Sequence, residues 1–233
     1  MKLKPLILLY IFTLLICLAF YGAIGWCENS ASKRKATLDT NLDEILGSIE
    51  KKYSSQGFSA KFTQESTLKA MEITNRATGK IMFKFPGMMR WEYETPEKQS
   101  IISNGRQLWI FRPKDNQVMI GKARDFFQNG QGGAFLTDIK ILRQQFHVSL
   151  VKINSDKYYK LKLVPIKENL DMDHLFLKIS KKTFHVVEII TYSAYNDENL
   201  ICFTNIQFRN NIDNAVFNFK IPEGTDLVSL DEL

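Results

Sequence analysis

From Phe58 onward apolar residues recur at every second position, and this alternation limits the fold more than any other feature of the chain. "FSAKFTQES" puts Phe58, Ala60, Phe62 and Gln64 on one face and Ser59, Lys61, Thr63 and Glu65 on the other, the period of a half-buried strand. "IISNGRQLWIF" carries Asn104-Gly105 between two apolar runs, a hairpin signal, and "NQVMI" follows a turn at Pro113–Asp115. "EITNRATGKIMFKF" has turn-prone residues around Asn75 and Gly79. Further strands are predicted in "FHVSLVKI", "YYKLKLVPI", "HLFLKIS", "FHVVEIITY", "LICFTNIQF" and "AVFNFKIP", with turns at "SKKT" (Ser180–Thr183) and "NDEN" (Asn196–Asn199).

Two stretches break the alternation. "TNLDEILGSIEKKY" has a helical stripe of Leu42, Ile45, Leu46, Ile49 and Tyr53. Asn41 and Glu44 are spaced as a capping box, and Lys51 and Lys52 complement the helix C-terminus. After Gly130, Gly132 and Gly133, the spacing of Phe135, Ile139, Leu142 and Phe146 predicts a second helix, either a movable cover or an ordinary crossover. Strands without βαβ alternation argue against a parallel sheet. They predict an α+β fold with one large antiparallel sheet, curled by its strand number, and helices packed on one side.

The N-terminus sets the compartment. Lys2 and Lys4 precede an uncharged apolar run, Leu6–Trp26, that ends in the small residues Ala23 and Gly25. This is the pattern of a secretory signal peptide at 1–25, with an uncleaved anchor as the alternative. A polar, flexible start is expected at 26–36, including "SKRK" at Ser32–Lys35, and one domain at 37–233. Loss of Lys2 and Lys4 takes the net charge from +6 to +4. The cations are scattered among acids rather than gathered in a stripe, so no nucleic-acid partner is expected. Cys27 and Cys202 remain, too few for a disulfide scaffold.

No His-Glu-x-x-His, Cys-x-x-Cys, Gly-x-Ser-x-Gly or phosphate-binding glycine loop occurs, so neither a catalytic residue nor a metal or other cofactor is expected. His147 and His185 read as strand residues, and "DMDH" (Asp171–His174) reads as a polar turn. The chain is instead rich in Phe (17), Tyr (8), Trp (3) and Met (7). Residues of this kind line concave sites for apolar molecules, and methionine adapts to varied apolar shapes.

"FSAKFTQES", "GKIMFKFPGMMRWEYETPEKQSIISNGRQLWIFRPKDNQV" and "AVFNFKIPEGTDL" together resemble the LolA family of periplasmic lipoprotein carriers. The shared features are Phe-x-Ala-x-Phe-x-Gln, a Gly-led strand running into Pro, Arg-Trp-x-Tyr-x-x-Pro, an Asn-Gly hairpin leading to Leu-Trp, and a late Phe-x-Phe-x-x-Pro-x-Gly. They span roughly residues 36–225. The resemblance implies an incomplete, strongly curved antiparallel β-barrel covered by α-helices, with a hydrophobic cavity for acyl chains and no enzymatic step. It further implies outer-membrane lipoproteins as cargo, an inner-membrane ABC-type lipoprotein exporter as donor, an outer-membrane receptor, and a monomer working in the periplasm. The expected cavity lining is Phe62, Ile81, Phe83, Phe85, Met89, Trp91, Tyr93, Phe135, Ile139 and Leu142. Phe85 stands where many family members carry an arginine. That departure keeps two alternatives in view, a carrier of another envelope lipid such as a glycolipid, and a lipid-sensing regulatory domain.

Overall fold

The computed structural model describes residues 28–128, 136, 139–168 and 170–230. The expected leader, Trp26, Cys27, the glycines Gly130, Gly132 and Gly133, and Phe135 lie outside these residues. The chain divides into two units, Met1–Glu44 and Ile45–Leu233. Residues 28–44 of the first are helical throughout, and they belong to one helix, α1 (Glu28–Ser55). This helix is longer than the apolar stripe indicated, so Asn41 lies inside it rather than capping it. Its end fits the expectation better, with Lys52 in the last turn. There Ser54 and Ser55 donate from Oγ back to the carbonyls of Glu50 and Lys51, each at 2.7 Å and four residues earlier.

The second unit holds twelve strands. The first six are β1 (Gly57–Leu68), β2 (Ile73–Lys84), β3 (Met88–Thr95), β4 (Gln99–Asn104), β5 (Gln107–Arg112) and β6 (Gln117–Lys122). After the short helices α2 (Ala123–Gln128) and α3 (Lys140–Gln145) come β7 (Phe146–Val151), β8 (Tyr158–Pro165) and β9 (His174–Ser180). The last three strands are β10 (Val186–Tyr192), β11 (Glu198–Arg209) and β12 (Asp226–Ser229). They form one curled, unclosed sheet in the order β12-β6-β5-β4-β3-β2-β1-β11-β10-β9-β8-β7. Every pairing is antiparallel except β12 with β6, which is parallel. Among the described residues no helix is long and apolar enough to cross a membrane.

The strand expectations hold with three corrections. Asn75 and Gly79 lie inside β2; the chain reverses earlier, at Lys69–Glu72. "AVFNFKIP" is not a strand: it forms a short 3-10 turn (Asn214–Phe217) and an irregular continuation, and the last strand is β12. The second predicted helix shrinks to α3, whose chain enters β7 directly, so Phe146 is a strand residue.

The alternation produces two cores. On the inner face, Phe58, Phe62, Ile81, Phe83, Met89 and Trp91 are buried, as are Ile45, Leu46, Ile49 and Tyr53 of α1. On the opposite face of β4–β6, Ile102, Trp109 and Val118 form a second buried group, packed with Phe111, Ile120, Phe219 and Ile221. The segment Asn211–Ile221 thus straps the outside of the sheet. Lys84 Nζ donates to the Ile212 carbonyl (2.7 Å), and Arg90 donates to the Val216 carbonyl (3.0 Å). Phe217 is completely buried.

Candidate functional site

The apolar inner face of β1–β3 is the candidate site, and strand register builds it. Phe58 faces Phe83 and Ala60 faces Ile81 across β1 and β2; Ile81 faces Trp91 and Phe83 faces Met89 across β2 and β3. Side chains alternate, so these residues share one face while Lys61, Glu65, Arg76, Lys80, Lys84, Arg90 and Glu92 fall on the other. The inner face of this region therefore carries no formal charge. Arg90, for example, pairs with Glu92 at 2.6 Å on the outer side.

The rings form a continuous layer. Phe62 lies 5.0 Å from Trp91 and 5.1 Å from Tyr93 between ring centroids, and Phe83 lies 5.9 Å from Trp91. Phe203 of β11 closes the other flank at 6.4 Å from Trp91. At the lower end Phe58 stacks on Phe83 (5.1 Å) and meets Tyr53 of α1 edge-on (5.1 Å). The Tyr53 hydroxyl accepts the buried amide N–H of Val186 at 2.9 Å, and burial pushes that hydroxyl's pKa up.

At the upper end the face turns polar. The Tyr93 hydroxyl donates to Gln64 Oε1 (2.9 Å), Gln64 Nε2 donates to Asn199 Oδ1 (2.8 Å), and Ser66 Oγ donates to the same oxygen (2.9 Å). Desolvation raises the Tyr93 phenol to about 12.

Six of the ten expected lining residues, Phe62, Ile81, Phe83, Met89, Trp91 and Tyr93, are brought together here. Phe85 is half-buried in the turn between β2 and β3 rather than in either strand. That turn is held by Ser103, whose buried hydroxyl donates to the Gly87 carbonyl (2.9 Å) and accepts from Gly105 N (3.0 Å). Ile139, which precedes α3, and Leu142 within it are both buried. Sequence reasoning does not assign Tyr53, Phe203 and the Gln64–Asn199 pair to the site. Parity does place Gln64 on the face of Phe62, and Ile201 and Phe203 alternate in the same way. Among the described residues no three His, Cys, Asp or Glu side chains gather as a metal site.

An uncharged aromatic layer with one polar end and a helix segment buried beside it has the apolar character of surfaces that bind apolar ligands. Residues 53–220, most of the chain and all of β1 to β11, match the family model of the outer membrane lipoprotein carrier protein LolA. The chain belongs to the LolA family. The outer-membrane lipoprotein carrier protein of Coxiella burnetii is 23% identical over 217 residues, covering 93% of this chain and 98% of that protein. Its counterpart from Nitrosomonas europaea is 24% identical over 171 residues, covering 73% and 82%. An uncharacterized conserved protein of Thermus thermophilus has a similar fold, with a TM-score of 0.54 at 14% identity, covering 81% of this chain and 99% of that one. The LolA match takes in the first four motif segments named above and the start of the fifth.

Proposed function

We infer that this protein is a periplasmic carrier that shields the acyl chains of lipoproteins against the inner face of β1–β3 and takes them from the inner to the outer membrane. The observation that carries this reading is the uncharged aromatic face whose buried neighbour includes a short helical segment, Ile45–Ser55. Membership of a family of lipoprotein carriers supplies the cargo class. On this reading an inner-membrane ABC-type exporter loads the carrier and an outer-membrane receptor unloads it. The carrier works as a monomer, and no covalent step is involved.

The energetics suit exchange. A palmitoyl chain gains on the order of 12 kcal/mol at about 0.8 kcal/mol per methylene removed from water. Burial of Ile45, Leu46 and Ile49 contributes about 1.5–3 kcal/mol each, a sum of the same order. The helix segment, at about 4.5–9 kcal/mol for the three residues, thus offsets a large part of the gain from one chain, which eases release from the face.

The test is mass spectrometry of the material that co-purifies with the protein from the periplasm. Triacylated lipoproteins are expected. Recovery of glycolipid alone favours the second reading, transport of another envelope lipid, which Phe85 in place of the family arginine keeps open. Recovery of no lipid-bearing molecule counts against both.

A further inference from the structure

We propose that the inner face of β1–β3 orients its ligand through Trp91, whose indole N–H donates to the carbonyl oxygen of an acyl ester or amide. This rests on the carrier reading above and adds to it the chemical class and direction of the bound chain. Trp91 is only 2% exposed, and its Nε1 is buried without a hydrogen-bond partner. Buried donors are almost always satisfied, and leaving one unpaired costs free energy. An orphaned donor inside this ring layer is therefore unexplained by folding alone. A carbonyl entering with an apolar chain would satisfy it.

The surroundings set the direction. Tyr93 lies two residues along β3 from Trp91, about 7 Å away at strand rise. Its hydroxyl belongs to the polar group of Gln64, Ser66 and Asn199. In the opposite direction Met89 and Phe83 face each other, and Phe58 lies across from Phe83. A ligand with its carbonyl at Trp91 thus places its polar head by Tyr93 and Gln64 and runs its chain toward Phe83 and Phe58. A bare hydrocarbon has no atom for Trp91. The competing account is an N–H contact to a neighbouring ring face, a weaker interaction.

The matched probes are monolauroylglycerol, an ester, and 1-O-dodecylglycerol, an ether lacking the carbonyl, both titrated into the delipidated full chain. The ester is expected to bind about three- to tenfold more tightly, the range of one net hydrogen bond. In Trp91→Phe, which keeps the ring and loses the donor, that ratio should fall close to one. In the native chain the Trp91 indole ¹⁵N–H resonance should move downfield with the ester and not with the ether, a readout that stands even where Trp91→Phe fails to fold. Equal binding of ester and ether, or an ester preference that survives in Trp91→Phe, overturns the carbonyl assignment and leaves the carrier reading in place. Failure of the native chain to bind either probe overturns both.

Discussion

Gly79 sits in the middle of β2, where a side chain has no room. A Cβ there would lie 1.9 Å from the Glu92 carbonyl oxygen and 2.7 Å from Phe62 Cε1. The β2–β3 register slips between Thr78 and Gly79, so the partner strand presses in at this point. Gly79→Ala should cost at least about 2 kcal/mol, read as a lower urea midpoint, because the ring layer has to shift to admit one methyl group. In the sequence the same glycine reads as a turn, since turn and close approach both exclude a side chain and only a partner strand tells them apart. Tyr93 carries a second prediction at this scale. Its phenol titrates near 10 when unfolded and about 12 when folded. Between those values the unfolded chain has released the proton and the folded chain has not, so stability falls as pH rises. Roughly 2–3 kcal/mol should be lost from pH 10 to 12. Tyr93→Phe should remove that part of the alkaline loss in urea titrations at stepped pH.

Among the elements, the strap Asn211–Ile221 departs most from its sequence pattern. Phe217, Phe219 and Ile221 alternate like a strand, but the segment joins no ladder: Phe219 and Ile221 pack on the outer core of β4–β6, and Phe217 is completely buried. Phe217→Ala should destabilise the protein by about 3–5 kcal/mol in chemical denaturation, since a completely buried ring leaves a cavity. The ring layer lies on the other face, so ligand binding by the folded fraction should persist. Hairpins β4–β5 and β9–β10 are legible because their signals are local: Asn104 Oδ1 accepts the amides of Arg106 and Gln107, and Gly105 takes a φ of +88°. The early part of α1 is not legible, because Glu28–Ala36 is polar on all sides and shows no stripe. Periodicity reports which face is buried, not what covers it.

At the scale of the whole sheet, parity alone locates most of the candidate site. Phe62, Ile81, Phe83, Met89 and Trp91 share a face through alternation and two neighbouring pairings. The contribution of β11 is hidden, because Phe203 reaches Trp91 only through a pairing between distant segments. β1 lies between β2, its neighbour in the chain, and β11, which follows some 130 residues later. β6 likewise waits for β12. Such long closures make assembly slow relative to local hairpins. They also give the order of synthesis a consequence: a chain growing from its N-terminus has no means of completing this sheet until β11 and β12 have been made. β1 keeps one bare edge, and its aromatic face lacks Phe203, until residues 198–209 arrive. Commitment to the native sheet is thereby deferred until nearly all of the chain is available to pair.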